Sequence, residues 1–575
     1  MASNALTSSS ASTRSVLSVF ERYQKERLAF AQSVADMASR ETNIEALTSV
    51  GATSLLRPLL VDSVPAVQQA AALALGRLAN HSEKLANVVV EGDVLPQLVF
   101  SLTEQNRFYK KAANFVLRAV AKHSPELARA VVDAGALSSL TSCLEEFDPG
   151  VKESAAWAIG YIARHNGELA QAVVDAGAVP LLVLCVQEPE LAVRRISASA
   201  LSDIAKHTPE LAQTVVDAGA VPVLAPLLSN QDGKLKRQVS SALGQIAKHT
   251  VDLAETVVDG EIFPTVLLCL RDPEPFVRKN AATLICEVAK HTAELSQLIV
   301  NSGGIAAVVD YVNEARGPAR LPGIMCLGYI SAFSETLALS VVVARGVPPL
   351  AQALTQESEE HIKAACAWSL GQIGRHSPDH AKVLADNAIL LKLLKTMTAS
   401  APESDLHAKC KRALKCILEK TLVLDALEPL LNPTTPASIL KYVAAQFAKI
   451  LPHDVSARRW FVTSGCLQRV QEIAASFGGG LASVVGGGNK KVEVGFGAAA
   501  AAVEGGVAAT GLIGTKMGEH IRAINECFPE EIIKYYSPSY GNTLLEKLDA
   551  FGKNDDVPVG KSNLPKLPSK DLLTQ

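Results

Sequence analysis

Residues 205–224 read AKHTPELAQTVVDAGAVPVL, and close copies of this stretch recur through much of the chain. VVDAGA starts at Val131, Val173 and Val215, with variants at Leu47 (LTSVGA), Val89 (VVEGDV), Val257 (VVDGEI), Ile299 (IVNSGG) and Val342 (VVARGV). The period is 42 residues, with one step of 43. Within the stretch, Thr208-Pro209-Glu210 is a helix start: a hydroxyl cap, a proline at the first helical position and an acid at the positive end of the dipole. Gly219 ends that helix in the left-handed manner open to glycine. Pro222 opens a second helix, and the polar turn SNQDGK closes it. A third helix runs from about Leu235 to His249, with Val239, Leu243 and Ile246 as its apolar stripe.

One such unit cannot bury its own apolar face, so stability must come from stacking on neighbours. Composition agrees with a helical array. Hydrophobic residues make up 48% of the 575 but aromatics only 5%, so the apolar mass is Ala, Val and Leu. The ends need covers. Val16, Phe20, Tyr23, Phe30, Val34 and Met37 fall at spacings near 3 and 4, which predicts an amphipathic capping helix over 15–39, after a disordered 1–14. Repeats are expected over 40–477, about eight clear and then degenerate ones such as LVLDAL at 422 and FVTSGC at 461. A Gly/Ala-rich flexible insertion is expected over 478–515, two further helices over 516–551 and a disordered tail over 552–575.

A formal charge of -3 predicts no general affinity for nucleic acid. The N-terminus has no apolar signal-peptide core, and the late apolar stretch 492–514 carries Glu493 and Glu504, so neither secretion nor a membrane span is expected. The ten cysteines include no CxxC pair, and Cys143, Cys185 and Cys269 share one repeat column, the pattern of a small apolar core position in a reducing compartment.

The histidines His81, His123, His165, His207, His249, His291 and His376 share a column broken at Phe333. Neighbours in such a column lie one repeat apart, roughly 10 Å, too far to share a metal, so helix-end capping is their expected role. Gly560-Lys561-Ser562 ends like a phosphate loop, but Asp555 stands where the first glycine belongs. No paired acid and base and no nucleophile elbow is found. The expectation is a protein that is not an enzyme and takes no cofactor.

One column carries charge: Lys110, Lys152, Arg194, Lys236, Arg278, Arg320 and Lys363. The next adds Lys111, Arg195, Arg237 and Lys279. These residues make either a solvated helix face, with stems lying on apolar surface, or a basic stripe for an acidic partner such as tubulin.

Three helices per 42 residues closely resembles the armadillo family, which implies an all-α, right-handed α-solenoid with N- and C-terminal capping helices. Armadillo nuclear-import receptors hold peptides with a ladder of Trp and Asn four residues apart. Here the second position reads Arg77, Ala119, Tyr161, Asp203, Gln245, Glu287, Tyr329 and Gln372, so the Asn ladder is absent. Stretches that depart from the generic repeat, among them RFYKKAANFVLRAVAKHSPEL (107–127), FDPGVKESAAWAIGYIARH (147–165), LPHDVSARRWFVTSG (451–465) and FPEEIIKYYSPSYGNTLL (528–545), resemble the sperm-associated antigens of the ciliary central apparatus and their algal counterparts. That resemblance implies a structural scaffold of the C1 central microtubule in the axoneme of cilia and flagella, needed for central-pair stability and motility. Its implied partners are tubulin, neighbouring projection proteins and possible self-association, with no nucleic acid and no membrane. The alternative is a soluble armadillo adaptor that binds an acidic peptide in signalling or adhesion.

Overall fold

The structure, a computed structural model, describes residues 2–104, 106–477 and 507–551. All regular secondary structure among the described residues is helical. The chain divides into two compact units, Met1–His376 and Ser377–Gln575.

In the first unit the repeat follows its sequence signals. Thr208 Oγ1 accepts from the Leu211 amide at 3.3 Å and starts the helix Pro209–Asp217. Gly219 then sits at φ 79°, and the chain bends by 69° into Ala220–Leu224, which tightens to a 3-10 turn over Ala225–Ser229. Asp232 caps the third helix, Gly233–Ala247, by accepting from the Leu235 amide at 2.7 Å. Val239, Leu243 and Ile246 are wholly buried. Each contributes about 1.5–3 kcal/mol relative to an exposed side chain, and the third helices on either side, Leu191–Ala205 and Pro275–Ala289, supply much of that burial.

The third helices are Pro65–His81, Arg107–Ala121, Pro149–Ala163, Leu191–Ala205, Gly233–Ala247, Pro275–Ala289, Leu321–Phe333 and Glu360–Gly374, each packed on the next. The left-handed stop between first and second helices is a property of the backbone path rather than of glycine. Asp93, Glu261 and Arg345 adopt it at φ 52°, 54° and 60° in repeats that lack the glycine there. The N-terminal helix runs from Ala2 to Met37, back through the segment expected to be disordered. No proline or glycine lies between those residues to stop it.

In the second unit the repeat decays in sequence but persists in structure. Val455–Thr463, Gly465 at φ 79° and Cys466–Phe477 reproduce the first helix, left-handed stop and second helix. The helix Val507–Asn525 then packs on Ala437–Ile450 as a third helix would. It starts inside the stretch expected to be a flexible insertion, and so ahead of the expected boundary at 516. The Gly/Ala-rich segment therefore interrupts a repeat between its second and third helices. Phe447 and Phe461 are buried in this unit and Phe528 packs half-buried against them, with ring centroids 4.8 and 5.9 Å apart along the series. The helices Glu530–Tyr535 and Tyr540–Phe551 follow. Residues 478–506 of the expected insertion and the expected tail 552–575, with Gly560-Lys561-Ser562, lie outside the described residues.

Candidate partner-binding surface

The histidine column ties repeats together. Nε2 of His123, His165, His207, His249 and His291 lies 2.6–2.7 Å from the carbonyl oxygens of Ala79, Ala121, Ala163, Ala205 and Ala247, each 44 residues earlier. Those oxygens belong to the last turn of the preceding repeat's third helix, where carbonyls lack an intrahelical partner. Capping was expected, but each imidazole caps its neighbour's helix and not its own. The cation beside it does the same: Lys122 Nζ and Lys248 Nζ reach the carbonyls of Asn80 and Lys206, 42 residues earlier. Burial pushes the pKa of His123, His207 and His249 below the usual imidazole value, against the backbone hydrogen bond that raises it. Lys122-His123 and Lys248-His249 are thus pairs of inter-repeat clamps, whereas Lys206 and Lys290 pair with Asp203 and Glu287, three residues earlier in their own repeats.

The first basic column is divided in its geometry. Lys110, Lys152 and Lys236 pair with Glu146, Glu188 and Asp272, each 36 residues later, at the end of the next repeat's second helix or in the turn after it. The lysine side chains are only 14–16% exposed. Arg320 is the extreme member, at 1% exposure. It bonds Glu357 at 2.8 Å and the Val312 carbonyl at 2.7 Å, while Glu357 also accepts from the Gly317 amide at 3.1 Å. Arg194 and Arg278 turn back on local carbonyls, of Pro189 and of Asp272 and Pro273. In the second column Arg195 pairs with Asp232, and Lys111 lies 3.6 Å from Asp148. Arg237 stacks over Phe276 at 5.8 Å. Arg237, Lys279 and Lys363 have no carboxylate in ion-pair range among the described residues.

The half-buried positions beside these columns carry two aromatic patches. Trp157 and Tyr161 stack at 5.7 Å, with Arg118 over both Phe115 and Trp157 at 4.8 and 5.4 Å. Tyr329 and Trp368 meet edge to face at 5.0 Å. Asp203, between the patches in sequence, has its carboxyl pushed up by burial and lies 3.1 Å from Lys206. Such a surface can hold side chains of a partner.

Cys143, Cys185 and Cys269 are buried thiols, as their column predicts, and burial pushes Cys269 to about 11. Among the described residues no three His, Cys, Asp or Glu side chains gather as a metal site. No single helix among them is long and apolar enough to cross a membrane.

Comparison with known proteins agrees with the repeat. The model of the SIL1/FES1/HPBP1 C-terminal domain matches residues 127–243, and that of the HEAT repeat matches 262–292. A crystal structure of an engineered protein superposes with a TM-score of 0.63 at 26% identity, covering 69% of this chain and 98% of that one. "Sperm-associated antigen 6" of Mus musculus and that of Homo sapiens are each 62% identical over 540 residues, which is 94% of this chain and 99% of theirs. An identity of that level over 94% of the chain and 99% of its relatives means that the chain belongs to the sperm-associated antigen 6 family of armadillo-repeat scaffolds.

Proposed function

We propose that the protein is a non-enzymatic scaffold of the axonemal central apparatus, seated on the C1 microtubule, where it stabilises the central pair and supports ciliary and flagellar motility. The observation that carries this reading is the 62% identity with sperm-associated antigen 6 over nearly the whole of both chains. The construction of the first unit supports it. Its side-chain chemistry is spent on clamping repeats to one another, through histidine caps and cross-repeat ion pairs, as a load-carrying scaffold requires. Tubulin and neighbouring projection proteins are its partners. Within the basic stripe, Arg237, Lys279 and Lys363 are the members offered to an acidic partner.

Fractionation tests the reading. The protein should stay with detergent-extracted axonemes and decorate the central pair. Complete release with the soluble fraction would replace the scaffold with a soluble adaptor that uses the same surface for an acidic peptide.

A further inference from the structure

The second unit holds a cluster of cations that lacks the internal partners found in the first. The helix Asp405–Leu418 carries Lys411, Arg412 and Lys415, all exposed. Spacings of three and four residues put them on one face. On the neighbouring third helix, Ala437–Ile450, Lys441 lies over the ring of Tyr442 at 4.8 Å, and Lys415 lies over the same ring at 5.8 Å. Two ammonium groups from two helices thus converge on one tyrosine. Glu419, 4.0 Å from Lys415, is the one carboxylate in ion-pair range of these four cations among the described residues. Like charges gathered around one ring repel, and an anion that approaches them is favoured.

We propose that this face of the second unit is a docking site for an extended, carboxylate-rich segment of a partner protein. Charge complementarity selects the sign, and spacing selects the form. Lys411 and Lys415 are one helical turn apart, about 6 Å along the axis, close to the roughly 6.6 Å between alternate residues of an extended chain. The step to Lys441 crosses to the next helix, about 8–10 Å away, which three extended residues span. A run of glutamates meets both spacings in one pass. A nucleic acid is the poorer occupant, because the Tyr442 ring already carries two lysines and is not an open platform for a base. The inference rests on the scaffold reading for the kind of partner, but its chemistry stands on this cluster alone.

The test is titration of a fluorescent ten-glutamate peptide with the purified full chain at about 50 mM salt. Reversal of Lys411, Lys415 and Lys441 to Glu is expected to weaken binding at least about tenfold, since exposed charge contacts contribute roughly half a kcal/mol each. Binding should also weaken on raising salt to about 150 mM. Reversal of Arg237 and Lys279 in the first unit should cost less. Wild-type affinity in the patch variant, or a larger loss from the first-unit variant, overturns the proposal. So does a polyuridine 20-mer that binds more tightly than the peptide. If the triple reversal fails to fold, Lys411→Gln with Lys415→Gln should still weaken binding about fivefold, and unchanged affinity there is equally fatal. The titration needs no axoneme, so its failure leaves the scaffold reading standing. Release from axonemes with intact peptide binding removes only the scaffold reading.

Discussion

The two units use the same residue types for opposite ends. In the first, Lys152 and Lys236 sit on third helices, largely buried, because the next repeat places Glu188 or Asp272 within reach. In the second, Lys411 and Lys415 sit on a third helix of the same fold, yet among the described residues a single carboxylate, Glu419, comes within 4.0 Å of Lys415. A regular column of positive charge therefore does not by itself mark a binding surface. Regularity is what allows an internal counter-charge to recur at a fixed offset, so the binding cations are better sought where the repeat has drifted and the offset acid is gone.

The strongest check on that contrast is Glu357→Ala. It leaves the Arg320 guanidinium, 1% exposed, without its carboxylate, and strips the Gly317 amide of its acceptor. Breaking one partner of a buried pair costs about 3–5 kcal/mol. Variants that keep the tryptophans of one unit and replace those of the other by Phe allow the units to be read apart, since Trp157 and Trp368 lie in the first and Trp460 in the second. Urea unfolding followed by Trp157 and Trp368 fluorescence should shift to lower denaturant, while the Trp460 signal of the second unit need not follow. A loss below about 1 kcal/mol would mean that Arg320 finds water or another acceptor at no great cost.

Lys152→Glu and Lys236→Glu come next. Each replaces a half-buried attraction by a repulsion facing Glu188 or Asp272, and each is expected to lower first-unit stability by roughly 1–2 kcal/mol, above the usual value for an exposed pair. Indifference to both reversals, read from the same two tryptophans, would return these lysines to the candidate binding surface.

How much of this was legible follows from the range of each interaction. The Thr208 cap, the stop at Gly219 and the buried stripe of Val239, Leu243 and Ile246 depend on residues within one turn or one loop, and all appear where the sequence puts them. The histidine clamp spans 44 residues and the ion pair 36, so reading them requires knowing which helix end faces which. The signal was present in the acids Glu146, Glu188 and Asp272, each 36 residues beyond a lysine, but a search within single columns does not meet it. The cluster at Lys411, Arg412 and Lys415 was missed for the converse reason. It lies after the repeats lose their period, so it joined no column. The start of the helix Val507–Asn525 is hidden in the sequence because Gly and Ala run on from the insertion into its first turns, at Gly511 and Gly514.

Acid should act on the units unequally, with a smaller effect. His123, His207 and His249 have folded pKa values pushed below the unfolded imidazole value of about 6.5. As pH falls through 6.5 the unfolded chain takes up these protons first. Their contribution is therefore complete above that pH and is lost below it, toward the lower folded values. Asp203, with its carboxyl raised by burial, acts in the opposite sense and offsets part of the loss. In the second unit His520 shifts in the same direction as the three, as a single group. Between pH 7.5 and 5.5 the first unit's urea midpoint should fall more than the second's. Replacement of the three first-unit histidines by Gln, which keeps an amide donor and cannot titrate, should flatten the difference. A slope that survives the replacement would place the acid sensitivity elsewhere.

The smallest expected effect bears most directly on the contrast. Lys411→Glu with Lys415→Glu should change second-unit stability by less than about 0.5 kcal/mol per substitution, the usual range for exposed sites. Neither ammonium group has a carboxylate to lose among the described residues except Glu419, just past the end of the same helix at 4.0 Å, and an exposed i,i+4 pair contributes only about 0.3–0.5 kcal/mol. Relief of repulsion between Lys415 and Lys441 near the Tyr442 ring works the other way, so the net sign can even be stabilising. Trp460 fluorescence in urea reads this directly. A loss above about 1.5 kcal/mol would show these lysines to be fixed structural parts like Lys152 and Lys236, and the difference between the two units would vanish. A near-zero change beside the large Glu357→Ala cost would mean that one fold has spent Lys152, Lys236 and Arg320 on cohesion in the first unit and kept Lys411 and Lys415 for a partner in the second.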